Sequence, residues 1–496
     1  MAAGLAAPIK VATSRIAVTG RGVIVAEHVI VRFKDTIPIP YEDGIWGRLS
    51  DLIGPRWDAI AQDFKNLPVR RVFDEHLPAP NPEAQGGAGN DDRYFDIRVS
   101  DAEAARELVR RLRELQGDVV EEAYVRARVM PAHGTGPAPG PFAGVPDSQG
   151  YLLPKPQGID AVAAWNLFRA RGEGVTIADV ERGWFLEHRD LPPDIPVACG
   201  NNDSNKDHGV AVMGILVALH SGPEVKGGAP ATRTFAASYV REHEDDDVAW
   251  AVDEARKQLK PGDILLLEVV VDYIDDTRNI KIAEAPAESE PHIRAAIRRC
   301  TDEKILVIEP VGNANTSLAV MDFDSNPTGA LMVGASLFDG QEHRQEEKVS
   351  KSNYGKRIDC FAWGHDIRTL GHPPDGYQAF WGTSGAAAIL AAAASLLQSV
   401  ARRHLADIGN DPAFLTPKQL CDYLSDKSTG TETVNGNDRP IGVMPSLGLV
   451  IERFLADHAG PDHAGFRAKP AVKGMGRIKK NGKAKVSTPH VKVRKK

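Results

Sequence analysis

The sequence predicts an α/β protein, with a mostly parallel sheet covered by helices on both faces, preceded by a small α+β domain. Three observations predict it. Apolar runs of strand length, at 174–180 and 305–311, alternate with helical stretches at 248–259 and 291–299, the order that builds parallel sheets buried on both sides. Two further runs, 208–219 and 385–399, are apolar on every face, as helices inside a large core are. Nearer the N-terminus, Phe95, Ile97 and Val99 alternate with Asp96 and Arg98, which is the period of a half-buried strand.

The N-terminal elements follow in order. Residues 28–34 alternate as a first strand, and the Pro-, Gly- and Asn-rich stretch 76–92 reads as an inserted loop. Ser100-Asp101-Ala102-Glu103 has the form of a capping box, in which two side chains each satisfy a backbone donor at a helix start. The helix after it carries Ala105, Leu108, Leu112 and Leu115 on one face, with Gly117 suited to its C-terminal cap and a last strand at 119–129. The expected organisation is an extension at 1–27, an α+β domain at 28–130, a Pro/Gly-rich linker at 131–157, the main α/β domain at 158–455 and a tail at 456–496.

Composition narrows the function classes. A chain of 496 residues can fill two or three domains with a large core. At 42% hydrophobic and 26% charged it has the balance of an ordinary soluble protein. The Ala-rich run after Ser384 comes nearest to transmembrane length, and no membrane span is expected. The first ten residues lack a charged region followed by an apolar core and a cleavage site, so a cytoplasmic location is expected. Cys199, Cys300, Cys360 and Cys421 lie far apart without metal-site spacing, which fits reduced thiols. No phosphate loop, dinucleotide fingerprint or His-Glu-x-x-His is present. The segment from Arg467 to Lys496 holds 12 of the chain's 60 basic residues and none of its 67 acidic ones. Such a tail has the charge to contact nucleic acid, anionic lipid or an acidic protein surface, or simply to stay solvated.

Four segments carry the candidate chemistry. Gly382-Thr383-Ser384-Gly385 opens the Ala-rich helical run, placing a small hydroxyl where free N–H groups and the helix dipole can stabilise an anion. His208 opens the other all-apolar helix. The run at 174–180 ends among Asp179, Glu181 and Gly183, and carboxylates at a buried strand end require a partner such as a histidine. The run at 305–311 delivers Gly312-Asn313, and an Asn amide there can donate to an oxyanion. Taken singly, each has an ordinary explanation as a cap, a core histidine, a solvated strand end or a turn.

Together, in the order acid, His, Asn, Ser, the segments resemble the subtilisin-like serine proteases, the subtilases. Asp179-Val-Glu181-Arg-Gly183 resembles the family's acid motif, and the distance from Glu181 to His188-Arg189-Asp190-Leu191 matches its His-Pro-Asp-Leu without a gap. His208-Gly-Val-Ala-Val-Met-Gly214 resembles the His motif, Gly312-Asn313 the oxyanion motif, and Gly382-Thr383-Ser384-Gly-Ala the Ser motif. Val333-Gly334-Ala335 and the stretch 352–362 resemble further core segments, so the likeness spans about 150–455. Departures are equally specific. The aligned acid is Glu181 where the family has Asp, Val210 and Ala211 stand in the His motif, Gly385 and Ala387 follow the Ser, and Glu268-Val269-Val270 replaces the Ser-Leu-Gly strand that lines the substrate pocket.

The resemblance implies a subtilisin-like peptidase domain at 158–455 and a ferredoxin-like propeptide at 28–130 that acts as an intramolecular inhibitor. It implies a serine endopeptidase, made as an autoprocessed zymogen cut between about 131 and 157, acting on protein or peptide substrates. Ser384 would be the nucleophile, His208 the general base, Asn313 the oxyanion donor, and Glu268, Val269 and Val270 substrate-binding residues. No cofactor is implied for the chemistry, and any structural calcium is not placed by the sequence. Asp179 and Glu181 share one face of their strand with Cα atoms about 6.5–7 Å apart. Glu181 keeps the motif's register, and its extra methylene adds about 1.5 Å of reach, so Glu181 is taken as the acid and Asp179 as the alternative. The rival to an enzyme is a subtilase-shaped binding protein with little or no activity, suggested by the altered acid and pocket strand.

Overall fold

The computed structural model describes residues 27–459 except 65, 74–92, 132–145, 203–204, 222–223, 242–244, 276–279, 322, 324–326, 346–350 and 435–437. The extension before residue 27, the inserted loop at 76–92, most of the linker up to residue 145 and the basic tail therefore lie outside the described residues. The chain divides into two units, Met1–Asp457 and His458–Lys496, and the first is described below.

Near the N-terminus a four-stranded antiparallel sheet runs in the order Val69–Arg71, Tyr94–Val99, Glu27–Phe33, Val120–Val125. With the helices Pro55–Asp63 and Ala102–Arg113 this is a βαββαβ, ferredoxin-like arrangement. Its core packs Phe33, Trp46, Trp57 and Phe95 in edge-on pairs, a favoured aromatic geometry. Three expectations need correction here. The helix cap is Asp101, whose carboxylate accepts from the N–H groups of Glu103 and Ala104 at 3.0 and 2.9 Å; the Ser100 hydroxyl bonds to Asp101 instead. A carboxylate can take both donors at once, so the box is not needed. Gly117, at φ +93°, serves the turn after the helix, whose C-cap is Glu114. Asp96, expected to face solvent, is buried because three cations converge on it.

The main sheet has eight strands. The order is His343–Gln345, Leu331–Phe338, Leu306–Pro310, Ile264–Leu267, Thr176–Glu181, Arg233–Ser238, Val197–Cys199, with Cys360–Trp363 also paired to Leu331–Phe338. All pairings are parallel except that of His343–Gln345. From Thr176–Glu181 the chain builds two strands on one side, then crosses to Ile264–Leu267 on the other and continues outward. The order thus reverses at Thr176–Glu181, and such a switch point opens a crevice at the carboxyl ends of the strands.

The helices Lys206–Val217 and Thr383–Asp407 pack together on one face, and Val248–Arg256 and Pro291–Asp302 pack together on the other. Thr383–Asp407 is longer than the 385–399 expected. Among the described residues it alone has the length and apolarity to cross a membrane, yet that apolar stretch is wholly buried inside the protein. Its alanines at 386–388 and 391–394 are also buried. A helix lined with such small side chains can sit at the centre of the core, where bulkier ones would clash with close-packed neighbours.

The strand expected at 119–129 is divided. Val120–Val125 closes the small sheet, whereas Val129–Pro131 leaves it and joins Val269–Asp275 and Ile280–Pro286 in a three-stranded antiparallel sheet. A buried charge cluster fastens the same two parts of the chain. His28 Nδ1 lies 2.7 Å from Asp96 and its Nε2 lies 3.0 Å from Asp245. Arg126 bridges the same two carboxylates at 2.9 and 2.6 Å, and Arg70 reaches Asp96, Asp245 and Asp247. Removing one member of such a cluster strands buried charge, at a typical cost of about 3–5 kcal/mol.

Burial alone would lower the pKa of His28, but hydrogen bonds with Asp245 and Asp96 turn the balance, raising it above 6.5. Its contribution to stability is therefore complete below the unfolded value and is lost as pH rises through the raised one. Denaturant titrations at about pH 6 and about pH 9 should show the stability difference between the wild-type protein and His28→Gln shrinking with pH. A difference independent of pH would mean that His28 is neutral in the folded protein.

Candidate active site

The crevice at the switch point collects the candidate residues. Thr176–Glu181 is buried by strands on both sides, and Asp179 and Glu181 are fully buried with it. They go to different partners. Asp179 Oδ2 accepts from Trp184 Nε1 at 2.7 Å. Burial, then the neighbouring Glu181 carboxylate, pushes the Asp179 acid well above the usual range. Glu181 Oε1 accepts from the Arg182 N–H at 2.7 Å, and its Oε2 is in ion-pair contact with His208 Nδ1.

His208 stands in the first turn of Lys206–Val217 and is buried. Its neighbour must be glycine. A Cβ on Gly209 would come within 2.2 Å of the Gly183 carbonyl oxygen, so any side chain there would push the helix off the acid strand. His208 Nε2 lies 3.1 Å from Ser384 Oγ, and the ring meets Phe380 edge-on at 5.0 Å.

Ser384 is the second residue of Thr383–Asp407, after Gly382 at φ +95°. Strand Leu306–Pro310 leads to Gly312, where the backbone turns at φ +94° and a Cβ would sit 1.5 Å from the Glu284 carbonyl oxygen. The next residue, Asn313, is oriented by the Ser384 helix itself. The Thr383 N–H donates to Asn313 Oδ1 at 2.9 Å, and the Gly312 N–H donates to Thr383 Oγ1 at 3.2 Å. Asn313 Nδ2 is buried without an acceptor of good geometry, although the Glu284 carboxyl lies close enough to feel it.

Glu268, Val269 and Val270 are all fully buried. Val269 and Val270 pair with Pro131 and Met130, so this strand edge is occupied by the chain's own segment. Glu268 differs from its two neighbours. Neither of its oxygens has a hydrogen bond of good geometry, and its charged neighbours are Asp179 and Glu181. Burial first, then those two carboxylates, raise its acid well above the usual range, with the Ser384 hydroxyl acting the other way.

Carboxylate, imidazole and hydroxyl thus line up as Glu181, His208 and Ser384, with the Asn313 amide tied to the same helix end. Such a line can activate a hydroxyl for attack on a carbonyl carbon. Among the described residues no group of three or more His, Cys, Asp or Glu is arranged to hold a metal ion. Sequence reasoning missed Asn353 and Glu284. Asn353 Oδ1 accepts from the N–H groups of Ala314 and Thr316, while its Nδ2 donates to the carbonyls of Val311 and Glu284. It lay within a quoted core segment without a role, and Glu284 had no signal at all.

The subtilase family model matches residues 179–443. No curated protein matches. Among solved structures, fervidolysin from Fervidobacterium pennivorans, a keratinolytic enzyme related to subtilisin, is 14% identical, with a TM-score of 0.54 over 86% of this chain and 61% of that one. The present chain therefore spans less than two thirds of fervidolysin's length. A cold-adapted subtilisin-like serine proteinase is 18% identical, with a TM-score of 0.41 over 55% of this chain and 89% of that one. The MycP3 protease of the type VII (ESX-3) secretion system is 19% identical, with a TM-score of 0.46 over 66% and 94%. The family model covers more than half of the chain and encloses all four motif segments, and on that ground the protein belongs to the subtilase family.

Proposed function

We propose that this protein is a serine endopeptidase, made with its own N-terminal domain as an inhibitor and freed by self-cleavage. The observation that carries the reading is the contact line from Glu181 through His208 to Ser384. In this mechanism Ser384 Oγ attacks the scissile carbonyl while His208 Nε2 takes its proton and later returns it to the leaving amine. Glu181 holds the ring so that Nε2 is the basic nitrogen and stabilises the imidazolium once formed. The carbonyl oxygen gains charge as the tetrahedral intermediate forms. Asn313 Nδ2 and the Ser384 N–H, in the first turn of a buried helix, donate to it, each such donor being worth about 3 kcal/mol of barrier. Water then resolves the acyl-enzyme by the same proton relay.

The choice of acid is testable because the two candidates have different partners. Glu181→Gln should remove most of kcat, since an amide does not stabilise the imidazolium and can hold the wrong tautomer. Asp179→Asn should cost far less, because Asp179 faces Trp184 and an amide oxygen can still accept that bond. Steady-state kinetics on a peptide substrate decide it; a crippled Asp179→Asn beside a near-normal Glu181→Gln would reverse the assignment.

The inhibitor reading is supported by the pairing of Val129–Pro131 with the strand that continues from Glu268. Val129, Met130 and Pro131 lie opposite Val271, Val270 and Val269, so Pro131 pairs with the residue next to Glu268. The scissile bond should lie in the Pro/Gly-rich linker, between about 131 and 157. Wild-type protein should be cut there, as read by intact-mass spectrometry, and Ser384→Ala should stay whole. Equal cutting of both would assign the event to another protease.

A further inference from the structure

We infer that Glu284 is a positioning residue for the oxyanion site, delivered by a β-bulge to hold the backbone of Asn313. The inference rests on the proposed roles of Ser384 and Asn313. It begins with an irregularity in the hairpin beside the cleft. Val269–Asp275 pairs with Ile280–Pro286, with Val271 opposite Ala285 and Tyr273 opposite Ile282. One residue, Asp272, therefore faces two, Ala283 and Glu284. Such bulges re-aim side chains and recur next to active sites.

The extra residue is also strained. Glu284 has φ +52°, a left-handed conformation that favours glycine or asparagine and costs other residues energy. Neighbours hold it there from both ends. Its carbonyl oxygen accepts from Asn353 Nδ2 at 2.9 Å and fills the space that a Cβ on Gly312 would need. Its carboxyl reaches the other way, with Oε2 accepting from the Asn313 N–H at 3.1 Å. Burial raises the pKa of this carboxyl, while hydrogen bonds with the Asn313 side chain and backbone act the other way. The charges around it are Asp272 from the facing strand and Lys351.

The consequence concerns one amide. The Asn313 side chain is oriented at its oxygen by the Thr383 N–H, and its backbone is fixed by Glu284. With both constraints, Nδ2 is directed by the frame of the site. With only one, the Asn313 N–H loses its acceptor and the residue is held at its side-chain oxygen alone. A donor that must meet a developing oxyanion loses catalysis when it is misplaced, without losing substrate affinity.

The test uses full-length protein with Glu284→Gly and Glu284→Gln. Glycine removes the carboxyl but accepts the left-handed backbone, so the fold should survive, with a melting temperature within a few degrees of wild type. It should lose roughly tenfold or more in kcat with KM nearly unchanged. Hydrogen exchange at the residue 313 amide should accelerate by a similar factor. Glutamine keeps an acceptor oxygen and should recover most of both. Wild-type kcat in Glu284→Gly, or a Gln variant no better than the Gly variant, overturns the inference. If wild-type protein hydrolyses no peptide, the functional reading fails separately. The exchange measurement then still decides whether Glu284 holds Asn313, and unchanged protection in Glu284→Gly overturns that as well.

Discussion

The site depends on where one buried helix begins. Thr383–Asp407 runs through the centre of the core, and its first turn supplies three things at once. The Ser384 hydroxyl faces His208, the Thr383 N–H orients Asn313, and the Thr383 hydroxyl accepts from Gly312. Because the helix is buried from Thr383 to Ala401, its start cannot shift without repacking the strands around it. Gly385 shows how tight the fit is, since a Cβ there would lie 2.3 Å from Ile367 Cδ1. The proposed nucleophile and the proposed oxyanion donor are thereby coupled through one rigid element, the arrangement that preorganised catalysis requires.

Around that helix end the protein buries three carboxyl groups on adjoining strands. The three differ in their partners. Glu181 accepts from a backbone N–H and is in ion-pair contact with the imidazole, whereas Asp179 accepts from a single indole N–H and Glu268 has no hydrogen bond of good geometry. Burial therefore pushes Asp179 and Glu268 toward their neutral forms.

Much of this was legible in the sequence where the cause is local. The acid, His, Gly-Asn and Ser segments each sit at the end of an apolar run, and that placement is visible in hydropathy. The choice of Glu181 over Asp179 followed from register. Other features were not legible because their causes lie far away in the chain. Asp96 alternates like a solvent-facing residue and is buried only because Arg70, Arg126 and His28 meet there, with Asp245 from the other domain. Residues 119–129 read as one strand, since nothing local says that Val129–Pro131 will leave the small sheet for a cleft strand far along the chain. Glu284 acts through a bulge, and a bulge is by nature a break in the periodicity that sequence reading uses.

The central claim is that Ser384 is a nucleophile made reactive by His208. An alkyl fluorophosphonate reacts with such a serine and leaves ordinary hydroxyls alone. On folded protein, the account predicts a single adduct on Ser384 by peptide mass spectrometry, absent in Ser384→Ala and formed far more slowly in His208→Ala. A folded protein that never labels, or that labels equally well without His208, would contradict it.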